Sequence, residues 1–321
     1  MAGHLADAHR QNACTVRRWR VAALVLSLPT VLVAGAIAAT EMAVTVDDLP
    51  AHGPLPRGAT RLAIAAQMIH ALRQHAVPDV YGFANGEPLR STPELDRVLR
   101  AWRRAGFPLG NHTFSHADLT RVSTTDYVVD IERNQELLAR LLPPGSPKYF
   151  RYPYLHEGDT REKREAIRQW LAARGYTIAQ VTVTVEDDWA WNDVYARCVG
   201  LGHTAAIARL KALFLETAMS RLAAFEELSV RLFERPIKHI FVAHISAFEA
   251  LMLGDLLAAY RAAGTRFISL QEAVQDSAYT IDPGLVERAG RTFLVQVAQA
   301  RHVPIPDAFS RSPEELATLC R

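Results

Sequence analysis

The sequence predicts an α/β chain of about seven parallel strands joined by crossover helices, closed as a (β/α) barrel or wound as an open sheet. Three observations carry this reading. Short apolar runs alternate with stretches of helical periodicity along most of the chain. No Gly-rich phosphate loop follows the first strand, which disfavours a nucleotide-binding open sheet. Ionisable residues gather where the strands end, and the carboxyl ends of the strands are where α/β barrels collect their chemistry.

The elements follow in order. Met42 to Val46 reads as a buried strand that runs into Asp47-Asp48, and Ala59 to Ala76 has helical periodicity. Val80 to Phe83 is a second strand, and Ser91-Thr-Pro-Glu94 reads as a capping box opening a helix to Arg104. Phe107 to Gly110 is a short strand delivering Asn111 and His112. Thr124 to Leu142 is a helix stopped by Pro143-Pro144-Gly145. Lys148 to Arg151 is a strand, Thr160 to Arg174 a helix, and Tyr176 to Val185 a strand rich in β-branched residues. A helical region over roughly Ala205 to Phe233, a strand from Ile237 to Ala243, a helix from Phe248 to Ala263 and a last strand from Arg266 to Leu270 complete the pattern. After Asp276 the pattern changes, and residues 276–321 read as an extension packed on a catalytic barrel of residues 39–275.

With 49% apolar and 22% charged residues, the 321-residue chain has an ordinary globular composition, which excludes the disordered and fibrous classes. A net charge of +2 and no basic run beyond Arg17-Arg18-Trp-Arg20 speak against nucleic acid as a partner. That run precedes the apolar stretch Val21 to Ala38, which ends in the small-residue site Ala36-Ile-Ala38. The three together read as a signal peptide over residues 1–38, and hence as a periplasmic or secreted protein with no stable membrane anchor once it is cleaved. A retained anchor is the alternative, weakened by Ser27, Pro29 and Gly35. Cleavage would remove Cys14 and leave Cys198 and Cys320, which permits one disulfide or two buried thiols.

His112-Thr-Phe-Ser-His116 is the most informative motif. Two histidines four apart lie on one face of a helical turn, so both imidazoles can reach one metal ion, and a carboxylate from another strand would complete an open, catalytic set. With 12 His in the chain, such a pair arises by chance in roughly one of every two or three similar chains, so the pair alone is weak evidence. Position makes it stronger. Read in order, the strand ends present Asp47-Asp48, then His112 with His116, then Arg151 with Tyr154, then Asp188 with Trp189, then His244.

These five segments resemble, in order, the motifs of the polysaccharide deacetylases, metal-dependent carbohydrate esterases that include chitin, chitooligosaccharide and peptidoglycan N-deacetylases. The resemblance spans about 230 residues, from Ala43 to Leu270. Asn111-His-Thr-x-x-His116 is the closest match, Thr45-Val-Asp-Asp48 resembles Thr-Phe-Asp-Asp, and Arg151-Tyr-Pro-Tyr154 resembles Arg-x-Pro-Tyr. Asp188-Trp189 and His244 match more loosely. The resemblance implies a distorted (β/α) barrel with a divalent ion, Zn²⁺ first and Co²⁺ or Mn²⁺ next, on Asp48, His112 and His116. It implies Asp47 as general base, Arg151 holding Asp47, the Tyr154 backbone N–H at the oxyanion, His244 as general acid oriented by Asp188, and Trp189 walling the acetyl pocket. The implied reaction is metal-dependent hydrolysis of a non-peptide C–N bond in an N-acetylated glycan or oligosaccharide.

Departures from the motifs cluster around the substrate cleft. Val46 replaces Phe, Leu49-Pro50 replaces Gly-Pro, Leu155 stands where Gly is usual, and Val185 stands where an Asp is usual. They leave room for an O-acetyl esterase, a small-amide hydrolase, or a catalytically dead glycan-binding barrel. Tyr152 and Trp191 are candidates for sugar stacking, Phe114 less so. His156 and Glu157 read as a solvated loop, His239 as structural, and His52, His70, His75 and His203 have no evident partner.

Overall fold

The computed structural model describes residues 39–185, 188–309 and 314–321. The expectations placed on residues 1–38 and on the Asp188 side chain lie outside the described residues. The first strand, β1 (Glu41–Leu49), is followed by α1 (Arg61–Gln74), β2 (Tyr81–Ala84), α2 (Pro88–Ser91), α3 (Asp96–Arg104) and β3 (Leu109–Asn111). Next come α4 (Thr124–Ala139), β4 (Lys148–Phe150), α5 (Arg161–Ala173), β5 (Tyr176–Ile178), α6 (Asp188–Leu201) and α7 (Thr204–Phe233). The last elements are β6 (His239–His244), α8 (Ala247–Ala262), β7 (Arg266–Ile268), α9 (Leu270–Ala273) and α10 (Phe293–Ala300).

All seven strands are parallel, in the order β5-β4-β3-β2-β1-β6 with β7 beside the start of β1. Just beyond β5, Val183 bridges to Phe241 of β6, so the sheet curls round toward its other edge as a distorted (β/α) barrel. β1 explains the layering. Met42, Val44 and Val46 point outward into the large core shared with α1 and α8, whereas Ala43 packs inside with Tyr81, Phe83, Tyr149 and Ile240. Being covered on both faces, the strand reads as a nearly continuous apolar run. Inside, above Ala43, the same alternation puts Thr45 and then Asp47.

Helix starts follow local chemistry. Thr60, Ser123, Thr160 and Ser246 each accept a bond from the backbone N–H three residues on, as N-caps do. The expected Ser91-to-Glu94 capping box does not form. Ser91 ends α2 and its hydroxyl bonds back to the Pro88 carbonyl, while α3 begins only at Asp96 after a 3₁₀ turn. β5 is also shorter than expected, and α6 was not anticipated.

Cys198 of α6 and Cys320 form a disulfide with Cα atoms 5.2 Å apart, deciding a pairing the sequence left open. Among the described residues, no helix is long and apolar enough to cross a membrane.

Candidate metal centre and active site

Asp47 and Asp48 end β1. Asp47 lies directly opposite His244 in the parallel pairing of β1 with β6. Asp47 is buried, and Arg151 Nη1 donates to both its oxygens, at 3.2 and 3.1 Å. The guanidinium is itself fixed by the Ala179 carbonyl (2.5 Å) and Thr45 Oγ1 (3.1 Å), and lies over the Phe83 ring. A buried carboxylate so held has one orientation and a compensated charge.

At Asp48 the backbone turns left-handed (φ 64°), which swings the carboxylate away from that of Asp47. Its Oδ1 lies 3.3 Å from His112 Nε2 and 3.2 Å from His116 Nε2. Ligand atoms of the three residues all fall within 4.8 Å of one another. Asp48 Oδ1 is buried and receives no hydrogen bond, as expected of an atom reserved for a cation. His112 Nδ1 lies 2.8 Å from the Arg151 carbonyl, which can only accept, so Nδ1 carries the proton and the Nε2 lone pair faces Asp48. The residues present fit a divalent ion with two imidazoles and one carboxylate.

The electrostatics agree. Burial pushes the Asp48 carboxyl up, but the imidazoles of His112, His116 and His52 outweigh it and hold the group well below the usual carboxylate range. Burial lowers the basicity of His112, yet Asp47 and Asp48 more than reverse this and raise its pKa. The negative field that binds a proton there also favours a cation.

The two histidines do not share a helical turn. Residues 112–118 form a loop in which Thr113 and His116 are both left-handed, with φ 61° and 56°. Side-chain hydrogen bonds hold this loop. Asn111 Oδ1 accepts from Thr113 N–H and from Asn134 Nδ2, each at 3.0 Å, and Asn111 Nδ2 donates to the Ile131 carbonyl. Asn85 Nδ2 donates to the carbonyls of His112 and Thr113, and Thr113 Oγ1 accepts from Ala117 N–H. Tyr154 and Leu155 are left-handed as well, with φ 57° and 56°. Such backbone strain collects at functional sites, where the surrounding bonds sustain it.

The structure brings Asp47, Asp48, His112, His116, Tyr154, Trp189 and His244 into one cavity of about 700 Å³, with Arg151 beneath Asp47. Tyr154 and Trp189 are its exposed rim, and the Tyr154 ring lies edge-on to His116 at 4.4 Å. Of the stacking candidates, Tyr152 is buried but lines the cavity. Trp191 is a core residue stacked on Phe248, and Phe114 is buried beneath Arg133. The loop after Tyr154 is not solvated. Glu157 is buried and bonded to Arg168, Gln180 and Gln296, and His156 bonds Asp118.

His52 is the residue that sequence reasoning missed. Its Nδ1 lies 2.6 Å from Asp48 Oδ2, and its ring sits 4.9 Å from His244 and 5.3 Å from Trp189. Arg61 holds the carbonyls of His52 and Gly53, and Asn192 of α6 holds that of Pro54. The available signal was its spacing, four residues after Asp48.

Residues 37–178 match the family model for polysaccharide deacetylases. The chain is 29% identical over 156 residues to a peptidoglycan-N-acetylglucosamine deacetylase of Bacillus cereus, covering 49% of this chain and 48% of that protein. It is 30% identical over 84 residues to a chitin deacetylase of Arthroderma benhamiae, covering 26% of this chain and 23% of that one. The matched stretches thus span less than half the length of either relative. A polysaccharide deacetylase structure from Bacillus cereus superposes with a TM-score of 0.50 at 19% identity, over 72% of this chain and 91% of that one, and so shares the fold. Asp47, Asp48, His112, His116, Arg151 and Tyr154 all lie inside residues 37–178, the segment that matches the polysaccharide deacetylase model.

Proposed function

We propose that the protein is a metal-dependent hydrolase that removes the acetyl group from an N-acetylated sugar or glycan. The observation that carries this reading is the Asp48–His112–His116 set, with its undonated Asp48 oxygen, beside the Arg151-held carboxylate of Asp47. A divalent ion held by that set, Zn²⁺ foremost, supplies a Lewis acid toward the acyl carbonyl and the attacking water. Asp47 takes the proton from the water, and Arg151 holds its carboxylate in place. The water oxygen bonds the acyl carbon, the C–N bond breaks, and His244, the strand neighbour of Asp47, protonates the departing nitrogen. The backbone N–H of Tyr154 stabilises the oxyanion, Trp189 walls the acyl group, and Asp188 is assigned to orient His244. Products are acetate and a free amino sugar.

The Asp47→Asn protein tests this. Acetate release from N-acetylglucosamine oligomers should fall by about 10²–10⁴-fold while Zn²⁺ is still bound. Full activity with metal bound would falsify the assignment of Asp47. Release from O-acetylated xylan alone would move the reading to ester hydrolysis. Bound metal with no release from either would leave a small-amide hydrolase or a glycan-binding barrel.

We also propose export to the periplasm or beyond. The basic and apolar start of the chain supports it, as does the Cys198–Cys320 disulfide, which persists in oxidising compartments.

A further inference from the structure

The cavity does not end at the metal set. It is also lined by Val242, which shares a face of β6 with His244, and by residues from the end of the chain, where Val295, Ile305, Pro306 and Phe309 stand among the polar Arg291, Thr292, Gln299 and Asp307. These apolar side chains come from α10 and the segment that follows it, outside the segment that matches the family model. The wall is firmly attached. Phe293 N–H donates to the Val181 carbonyl at 2.7 Å, next to the bridge that curls the sheet. Glu157, three residues after Tyr154, accepts from Gln296 of α10. Arg164 joins Glu157 to Asp282. Gly290 passes so close to the loop that a methyl group there would collide with the Tyr154 carbonyl oxygen. The C-terminal segment is therefore part of the cleft wall.

We infer that this apolar compartment receives the acyl half of the substrate, and that the protein accepts N-acyl groups longer than acetyl. The inference rests on the amide-hydrolase reading above. Its chemical basis is that an N-acyl amino sugar has one half that gains by leaving water for apolar walls, and that half is the acyl chain. The sugar half is polar and fits the exposed rim at Tyr154, where a ring face and open solvent meet. A cavity of about 700 Å³ holds far more than an acetyl methyl. The step is otherwise unchanged: water's oxygen bonds the acyl carbon, the C–N bond breaks, and a carboxylate and an amine leave.

The test uses the full-length protein loaded with Zn²⁺ and a series of glucosamine oligomers carrying N-acetyl, N-butyryl or N-hexanoyl groups, with the freed amine as common readout. Each added methylene should raise kcat/KM by about fourfold while it remains inside the compartment. Val295→Trp should lower the ratio of hexanoyl to acetyl turnover at least tenfold. Ile305→Trp, on an irregular segment more tolerant of bulk, should do the same if the first variant fails to fold by circular dichroism. Hydrolysis of the acetyl compound with steep loss at butyryl overturns the inference and leaves the amide-hydrolase reading standing. An unchanged ratio in a folded variant also overturns it. Hydrolysis of none of the three compounds overturns both.

Discussion

The two sides of the cleft are built on opposite principles. On one side, Asp48, His112, His116 and Tyr154 stand on left-handed or looped backbone held by buried asparagine bonds, with Arg151 beneath the Asp47 carboxylate. On the other, Val295, Ile305 and Phe309 present apolar surface from a helix and a tail stapled by a disulfide. The first side invests in exact placement of charge, where a shift of an ångström is costly. The second invests in shape, where size and hydrophobicity suffice. The candidate metal set and the apolar wall thus come from different stretches of chain, and each can be disturbed alone.

The sharpest separation should come from His116→Ala. His116 is partly exposed, so its loss should leave folding intact while removing a ligand. Turnover should fall by about 10³-fold or more, since a bound metal supplies several kcal/mol. Zn²⁺ content by mass spectrometry should drop in parallel, with the unfolding midpoint of the metal-free protein unchanged. A variant that binds Zn²⁺ normally would remove His116 from the ligand set. The converse is Cys198→Ala with Cys320→Ala. The bridge closes a sequence separation of 122 residues, and losing such a crosslink costs about 2–4 kcal/mol of stability. Turnover of the acetyl substrate at low temperature should remain within about twofold, because neither cysteine lines the cavity that holds Asp47, Asp48, His112 and His116. A large loss of turnover in folded protein would show that the two sides are coupled.

The same division governed what the sequence disclosed. The Asp48, His112 and His116 cluster was legible because metal ligation tolerates few residue types, and because strand ends deliver such residues to one rim. The strand-helix alternation gave the parallel barrel for a similar reason, since covered strands must be apolar. His52 stayed hidden because its partner is fixed by a turn, not by any regular period. The shared helical face of His112 and His116 was a wrong mechanism for a right neighbourhood: spacing of four suits a helix, but Asn111, Asn85 and Asn134 hold a loop instead. α6 was missed because Asp188 and Trp189 were read as a strand end, whereas they open a helix whose Trp191 is core. The apolar wall was illegible because Val295 and Ile305 look like any core residues until the tail is seen to reach the cleft.

The outer face of β6, away from the site, supplies a third, smaller contrast. His239, at the start of β6, is fully buried beside Thr182, and burial pushes its pKa down to about 4. In the unfolded chain it titrates at the ordinary imidazole value of 6.5, so the unfolded state takes up the proton first as pH falls. The contribution is complete above about pH 6.5 and is lost progressively toward pH 4, amounting to about 3 kcal/mol. Urea midpoints should therefore fall less between neutral and acidic pH in His239→Gln than in the parent. Identical slopes would show that His239 is not buried in neutral form.

His52→Gln asks how much of the metal side depends on the turn that sequence patterning did not disclose. His52 takes one oxygen of Asp48 and leaves the other toward His112 and His116. Partners that orient a ligand in this way are worth about 10–100-fold in metal affinity. The glutamine amide can still donate to Asp48, but it lacks the ring that packs against His244 and Trp189. Zn²⁺ affinity should therefore weaken about tenfold, toward the low end of that range, and turnover at saturating Zn²⁺ should fall only a few-fold. His52→Ala, which loses the bond as well, should weaken affinity toward the high end. If both variants bind Zn²⁺ as the parent does, Asp48 is held by its left-handed backbone alone, and strain, not hydrogen bonding, sets the ligand.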